Sequence, residues 1–172
     1  MEWRLRRAEA ADAAACSLVA GATFLEAFAG ILDGADIVAH VAAKSAPASF
    51  LAWIADPVSV VTLAETDRGA APLGYTVLTT PDLPVPAEAG DIELRRIYAL
   101  LPTHGTGMAA ALMERACADA RAQGCRRVLL GVYGGNHRAQ RFYAKQGLTV
   151  VGERRFLVGS TWHDDLIFAR AL

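Results

Sequence analysis

The chain has 172 residues, 53% of them hydrophobic and 20% charged, and its formal net charge is −1. This length suits a single domain with a substantial core, which we expect to span residues 1–172. The lack of a basic run argues against a nucleic-acid partner. Charged residues and glycines interrupt the apolar stretches before the roughly 20 residues of a membrane helix, and the first residues do not resemble a secretory signal.

Cysteine and histidine usage indicates a cytoplasmic protein without a metal. The three cysteines, Cys16, Cys117 and Cys125, are far apart, and the four histidines are scattered. An odd number of cysteines without a paired motif favours reduced thiols over disulfides or zinc ligands. We therefore expect a soluble cytoplasmic domain with no metal site and no membrane partner.

The first half of the sequence predicts a strand, a helical region and a pair of strands. The expected elements are a strand at Trp3–Arg7, a helix at Ala8–Ala20, a turn or short helix at Thr23–Phe28, helical structure at Asp36–Ile54, and strands at Val58–Ala64 and Leu73–Thr79. Gly21 is expected to end the first helix, and Pro47 to interrupt the second helical region. Asp67-Arg68-Gly69 is typical of a hairpin turn.

The second half alternates strands with helices and predicts one α/β domain. Strands are expected at Ile92–Leu100, Arg127–Tyr133, Thr149–Arg155 and Leu166–Ala169, and helices at Met108–Gln123 and Asn136–Gln146. Gly124 and Gly147 follow the helices, as glycines that end helices commonly do. A rigid proline-rich loop at Pro81–Pro86 is expected to border a site.

A glycine-containing loop between the strand at Ile92–Leu100 and the next helix is a candidate phosphate site. It reads His104-Gly105-Thr106-Gly107-Met108-Ala109. The two glycines let a pyrophosphate approach the backbone N–H groups, and the helix N-terminus adds its positive dipole end. The alternative is that the glycines only form a turn. The loop has neither the full Rossmann pattern nor the Gly-Lys-Ser/Thr of a P-loop.

A second motif follows the next strand. Asn136 and Tyr143 lie seven residues apart and project from one helix face. The alternative is that Asn136 only caps the helix, while Phe142 and Tyr143 only pack in the core. Together with the loop, this segment resembles the GNAT superfamily of N-acetyltransferases, whose R/Q-x-x-G-x-G/A loop precedes N-x-x-A-x-x-F-Y-x-x-x-G-F. His104 replaces the usual Arg or Gln, and Leu148 replaces the usual Phe.

The resemblance implies a single GNAT-type α/β domain. Its mixed, mostly antiparallel central sheet would be flanked by helices, with a V-shaped opening between the fourth and fifth strands. It also implies acetyl-CoA as the co-substrate, with the pantetheine arm bound to the open strand edges as an added strand would be. The implied cofactor-binding residues are Ile97, Ala99, His104, Gly105, Thr106, Gly107, Met108, Ala109, Asn136 and Tyr143.

Acetyl transfer to an amine needs a base and an acid. An alkylamine, with a pKa of about 10.4, must lose a proton before it attacks the thioester. Glu93 is the predicted base, because two-residue alternation places it on the strand face of Ile97 and Ala99. The alternative is that Glu93 only pairs with an arginine. By its place in the motif, Tyr143 is the acid that protonates the departing thiolate. Further candidate bases are Glu65, Glu88 and Asp91.

The last part of the sequence suggests an acceptor. Gly152, Phe156, Gly159 and Asp165-Leu166 resemble the G-x-x-x-F-x-x-G … D-L ending of PaiA-type polyamine acetyltransferases. We therefore expect a small-molecule amine acceptor, such as a polyamine. Protein N-terminal acetylation, a non-catalytic acetyl-CoA-binding regulatory module and the formation of a homodimer are left open. The carboxylates expected to attract the acceptor are Glu26, Asp33, Asp36, Glu88, Glu93, Asp164 and Asp165.

Overall fold

One seven-stranded sheet runs through the computed structural model, which describes residues 2–158 and 161–172. The strands are β1 (Trp3–Arg7), β2 (Val60–Thr66), β3 (Pro72–Thr79), β4 (Asp91–Ala99), β5 (Arg127–Tyr133), β6 (Thr149–Val158) and β7 (Thr161–Ala171). Their order in the sheet is β1-β2-β3-β4-β5-β7-β6. Neighbouring strands are antiparallel except β4 and β5, which are parallel. The sheet is therefore mixed and mostly antiparallel, as expected.

In the part of the chain that the structure describes, five α-helices cover the two faces of the sheet. They are α1 (Ala13–Phe28), α2 (Gly34–Lys44), α3 (Pro47–Ala55), α4 (Met108–Ala122) and α5 (His137–Lys145). Residues of α1 and α3 pack on one face with β2 and β3, and α4 and α5 pack on the other face with β4 and β5. Since α4 connects the parallel strands β4 and β5, it crosses over one face of the sheet, as such connections do.

The first helix is longer than predicted. It continues through Gly21 to Phe28, so the prediction that Gly21 ends the helix was wrong. A Cβ at Gly21 would lie 3.3 Å from Cγ1 of Val41 on α2. The glycine therefore permits close packing of α1 on α2. The interruption at Pro47 is confirmed, because α2 ends at Lys44 and Pro47 occupies the first turn of α3.

The final hairpin is also longer than predicted. The predicted strands Thr149–Arg155 and Leu166–Ala169 are only parts of β6 and β7, which pair from Thr149 to Val158 and from Thr161 to Ala169. Most of β6 is exposed, so it lacks the alternation of apolar and polar residues that marks a half-buried strand. Gly159 of the PaiA-like ending lies outside the described residues.

Judged by length and composition alone, two N-terminal segments, residues 10–28 and 34–55, are long and apolar enough to cross a membrane. The first segment contributes Cys16, Val19 and Ala20 to a core cluster with β2 and β3. The second segment divides into α2 and α3. In this fold the two segments contain α1, α2 and α3, which form the helical layer on one face of the sheet.

A buried carboxylate joins the first two strands. Glu65 of β2 is 1% exposed and accepts hydrogen bonds from Arg4 at 2.7 Å and from Arg6 at 2.9 Å. Arg6 also binds Asp12 at 2.6 Å. The hydrogen bond from Arg6 and, to a lesser degree, the one from Arg4 lower the pKa of Glu65 although burial opposes this. Glu65 thus stabilises the sheet edge, and because both of its oxygens are bound to arginines it does not suit the role of a base.

We expect Glu65→Gln to lower the free energy of unfolding by about 1–3 kcal/mol near neutral pH, because two charge-assisted hydrogen bonds are weakened. A carboxylate with a lowered pKa adds stability above its unfolded pKa, about 4.3, and loses it as the pH falls through the folded value. Urea unfolding should therefore show a gap between wild type and variant that narrows below about pH 4. Glu114→Gln, which removes an exposed partner of Arg170, is the control with little effect. A gap independent of pH would contradict this assignment.

Candidate active site

The two parallel strands part after a short paired stretch. β4 and β5 are paired only at Asp91–Arg127, Ile92–Val128 and Glu93–Leu129. Beyond these pairs, β4 stays paired with β3 and β5 stays paired with β7. The facing edges of β4 and β5 diverge, which confirms the V-shaped opening between the fourth and fifth strands.

Backbone polar groups line both edges of the opening. The Leu100 N–H donates to Leu73 on β3. Hydrogen-bonding directions alternate along an antiparallel ladder, so the N–H and C=O groups of Ile97 and Ala99 point away from β3, into the opening. On the other edge, Gly134 N–H donates to Asp164, and the same alternation directs the groups of Gly131 and Tyr133 into the opening. These groups can bind an amide-containing chain as an additional strand does.

A bulge in β4 changes which side chains share a face. Val77 pairs with Arg96, and Leu78 pairs with Leu94, so that Arg95 is an extra residue without a partner on β3. A bulge of this kind shifts the alternation by one residue. The side chains before and after Arg95 therefore do not follow simple two-residue periodicity.

The prediction that Glu93 shares a face with Ile97 and Ala99 was wrong because of this bulge. Ile97 and Ala99 pack with α4 residues. Glu93 lies on the opposite face, where it lines a cavity with residues of α1, α2 and α3. The Glu93 carboxylate is thus placed on the side of the opening away from the phosphate loop.

The first cavity, which we call the loop cavity, has a volume of about 440 Å³ and lies on the α4–α5 face. It is lined by Ile97, Ala99, His104, Gly105, Gly107, Ala109, Asn136 and Tyr143, among others. These eight residues were all predicted to bind the cofactor. Thr106 and Met108 were predicted as well, but neither is part of this lining, and the Met108 side chain is fully buried.

The loop has the backbone geometry that an anion site needs. Gly105 and Gly107 have φ values of +82° and +88°, which favour glycine. The amides of His104 and Thr106 are bonded to Leu101 and Thr103 within the loop. The described residues provide no partner for the amides of Gly105, Gly107, Met108 and Ala109. These amides, at the N-terminus of α4, can bind a pyrophosphate.

Arg138 is a cation beside the loop that the sequence analysis missed. Its Nη1 donates to Nδ1 of His104 over 2.7 Å, and Nε2–H of His104 then donates to the Ala99 carbonyl over 3.1 Å. Arg138 stands in the first turn of α5, where the helix dipole disfavours a cation. That unfavourable placement was the available signal. Arg138 can supply a permanent positive charge beside the loop.

Asn136 and Tyr143 both line the loop cavity. Asn136 caps α5 by accepting from the Ala139 N–H over 3.1 Å, as its alternative interpretation expected. Tyr143 packs against Phe142 and Phe168. Burial, reinforced by Tyr98, raises the pKa of Tyr143, so its hydroxyl remains a proton donor at neutral pH.

A second cavity, which we call the acceptor-side cavity, has a volume of about 510 Å³ and lies on the other face of the sheet. Its walls come from α1, α2, α3 and the β6–β7 hairpin, and the predicted proline-rich loop borders it at Asp82. The two cavities meet at the opening between β4 and β5. Residues that line both are Phe28, Arg95, Arg96, Tyr98, Gly131 and Tyr133.

Two buried carboxylates face the acceptor-side cavity, each beside an arginine. Glu93 accepts from Arg95 and from the Asp82 N–H at 2.9 and 2.8 Å. Asp165 accepts from Arg154 over 3.2 Å. Burial raises the pKa of Asp165 although Arg154 opposes this. The pairing of Glu93 with Arg95 is the contact that the alternative interpretation expected. Glu93 nevertheless lines the acceptor-side cavity.

The other predicted carboxylates lie elsewhere. Asp91 is bound to Arg127, which also contacts Glu88, so these two candidate bases hold the β4–β5 junction together. Asp33 and Asp164 are exposed, and Asp36 is half-buried in the first turn of α2. Glu26 lines the loop cavity and accepts from the Leu101 N–H.

The three cysteines are free, and burial raises the pKa of each thiol. Raised values keep these side chains as unreactive thiols. Within the described part of the chain, no group of three or more His, Cys, Asp or Glu residues is arranged to hold a metal. The groups in this region that can exchange a proton include Glu93 and Asp165 in the acceptor-side cavity and Tyr143 in the loop cavity.

Comparison with known proteins points to one family. The model of the acetyltransferase (GNAT) family matches residues 25–148. An uncharacterized N-acetyltransferase of Mycobacterium tuberculosis and its Mycobacterium bovis counterpart are each 37% identical over 161 residues, which cover 94% of this chain and 98% of each relative.

Solved structures share the fold at lower identity. The PaiA N-acetyltransferase of Thermoplasma acidophilum, crystallised with coenzyme A, has a TM-score of 0.81 at 20% identity, with all of both chains covered. YncA of Salmonella typhimurium, solved with its cofactor acetyl-CoA, has a TM-score of 0.66 at 17% identity, covering 99% of this chain and 94% of that one.

Proposed function

The chain belongs to the acetyltransferase (GNAT) family, and from this premise we propose that it transfers the acetyl group of acetyl-CoA to the primary amine of a small molecule. The observation that carries the proposal is the meeting of two cavities at the β4–β5 opening. The loop cavity suits a nucleotide-bearing thioester, and the acceptor-side cavity suits the amine. The two solved proteins described above, which hold coenzyme A or acetyl-CoA, support this cofactor.

The residues around the opening fit the co-substrate. The free amides of Gly105, Gly107, Met108 and Ala109 suit its pyrophosphate, with Arg138 as an added cation. The strand-edge groups of Ile97 and Ala99 suit its pantetheine amides. The Ala99 N–H also lies where a backbone donor can stabilise the oxyanion that forms on the thioester carbonyl.

The proton transfers are assigned to two side chains. We propose that Glu93 removes the proton from the amine, because it is a buried carboxylate in the acceptor-side cavity. Asp165 is the second candidate, since it is also buried in this cavity and burial raises its pKa above the usual value of an aspartate. Tyr143 then donates its proton to the departing thiolate from the loop cavity, since its hydroxyl is protonated at neutral pH.

The acceptor proposed is a small molecule rather than a protein terminus, since helices and the hairpin surround its cavity on several sides. The charged residues that line the acceptor-side cavity give little support to the expectation that the acceptor is a polyamine. The lining carboxylates are Asp82, Glu93 and Asp165, and the lining cations are Lys44, Arg95, Arg96 and Arg154. A protonated polyamine is drawn to a surplus of negative charge, which this lining does not provide.

We expect Gly107→Val to abolish coenzyme A binding, because a side chain there disfavours the left-handed backbone and obstructs the pyrophosphate. Gly69→Val is the matched control. Gly69 has a φ of +80° in the β2–β3 turn and, like Gly107, has no atom within 4 Å of an added Cβ. Calorimetry should show lost affinity for the first variant and wild-type affinity for the second. Equal affinities in both would refute the loop assignment.

Tyr143→Phe keeps the aromatic ring and removes the proposed acid. We expect kcat to fall by about 10²–10⁴-fold, while the dissociation constant of acetyl-CoA stays close to that of wild type. Steady-state thiol release and calorimetry measure the two quantities. Wild-type turnover by the variant would show that another group protonates the thiolate.

Glu93→Gln and Asp165→Asn distinguish the two candidate bases. We expect the Glu93 variant to lose about 10²–10⁴-fold in kcat/KM at neutral pH. Its remaining activity should rise about tenfold per pH unit below the amine pKa, since only free amine then reacts. If only the Asp165 variant shows this loss of kcat/KM and this rise with pH, Asp165 is the base. Full activity in both variants would exclude a carboxylate base at either position.

A further inference from the structure

One arginine in the acceptor-side cavity has no carboxylate beside it. Among the described residues, Arg95 pairs with Glu93 and Arg154 pairs with Asp165, whereas the contacts of Arg96 are to uncharged groups. A cation partly withdrawn from water without a counter-charge is costly. This arrangement is typical of a site that receives an anion.

Uncharged groups hold the Arg96 guanidinium in place. Nη1 donates to Ser45 Oγ over 3.0 Å, with a longer contact of 3.5 Å to the Tyr75 hydroxyl. Nη2 donates to the Lys44 carbonyl oxygen over 2.6 Å, and Cζ lies 5.0 Å from the centre of the Trp53 ring. Of the five guanidinium N–H groups, two have no partner among the described residues. A guanidinium fixed in this way is ready to bind a carboxylate.

The wall around Arg96 is positive. Lys44 lines the same cavity with an exposed side chain. Among the described residues, Lys44 forms no ion pair. Burial, followed by the charges of Arg96 and Lys44, lowers the pKa of His40, which is therefore neutral near pH 7. Within the described chain, the positive charge of this wall is not balanced, whereas the arginines at the other end of the cavity are paired.

We infer that the acceptor is an amino carboxylate, such as an amino acid, whose carboxylate binds Arg96 while its amine reaches the β4–β5 opening. This inference rests on the proposed function and names the substrate class of the same site. Arg96 and Ala99 are three residues apart on β4, which is about 10 Å at the rise of a strand. The Arg96 side chain and a small amino acid together bridge that distance.

The rest of the cavity suits the side chain of such an acceptor. Its volume of about 510 Å³ is larger than a bare amino carboxylate needs. Phe24, Phe28, Trp53 and Phe156 contribute aromatic surface to its walls. An amino acid with an apolar side chain therefore fits this cavity better than a linear polyamine does.

The test compares amines that differ only in the carboxylate. The pairs are L-ornithine and putrescine, L-phenylalanine and phenethylamine, and L-leucine and isopentylamine, each assayed by thiol release from acetyl-CoA. We expect kcat/KM to be about 10- to 100-fold higher for the better carboxylate-bearing acceptors than for their partners. Equal values within every pair, or faster reaction of putrescine than of ornithine, would overturn the inference.

Substitution of Arg96 tests whether this residue causes the preference for acceptors that carry a carboxylate. Arg96→Gln should bring the ratio within each pair close to one, and Arg96→Lys, which keeps the charge without the fork, should give an intermediate ratio. Arg68→Gln removes an exposed arginine from the β2–β3 turn and should leave the ratio unchanged. Coenzyme A affinity and thermal unfolding establish that each variant is folded. A ratio that survives in Arg96→Gln would overturn the role of Arg96.

The proposed function fails in a different way. If the wild-type protein binds no coenzyme A, or binds it and acetylates none of the amines, the small-molecule acetyltransferase itself is refuted, and the inference with it. If it acetylates amines without regard to the carboxylate, only the inference is refuted.

Discussion

The parting of two parallel strands is the constraint on which the rest of the site depends. β4 and β5 are held together by three residue pairs and by Arg127, which binds Asp91 across the junction. Beyond these pairs, the N–H and C=O groups on the facing edges have no partner on the other strand, although the Ala99 and Tyr133 carbonyls accept from side chains or loop amides. Such groups need a partner, whether water or a ligand. An amide-containing substrate that takes the place of the missing strand pairing would lie beside the groups proposed to act on it.

Two local irregularities connect the faces of the sheet. The bulge at Arg95 places Glu93 and Arg96 on the acceptor side, while Ile97 and Ala99 stay on the α4 side. On the facing strand, a Cβ at Gly131 would lie 2.7 Å from Nη2 of Arg154. The glycine therefore lets the arginine that pairs with Asp165 lie against the strand. The bulge at Arg95 and the glycine at Gly131 lie at the same height on the two facing strands. Together they allow molecules bound on opposite faces of the sheet to meet and react there.

Local motifs were predictable from the sequence, and contacts between distant segments were not. The glycine-containing turn before α4 and the capped helix at Asn136 depend on residues close together in the chain, and the sequence indicated both elements. The contact of Arg138 with His104 joins residues 34 positions apart, and no spacing rule signals it. Two-residue alternation misplaced Glu93 because a bulge leaves no clear pattern in the sequence.

The acceptor-side cavity was the least predictable part of the site for the same reason. Its walls come from α1, α2, α3 and the final hairpin, which meet only in the folded chain. Two adjacent arginines in the middle of a strand, Arg95-Arg96, were the available signal for it. The close contact of α1 with α2 at Gly21 was likewise hidden, since a glycine inside a helix resembles a helix end.

The meeting of the two cavities at a single opening has a consequence for inhibition. A molecule that joins an amine to coenzyme A through its sulfur can occupy both faces of the sheet at once. Binding of one half holds the other half at high effective concentration, so such a conjugate gains affinity without any new contact. The tether has to be thin where it passes Gly131, since Arg154 lies against that residue. A short, unbranched linker is therefore the form of bisubstrate inhibitor that this sheet admits.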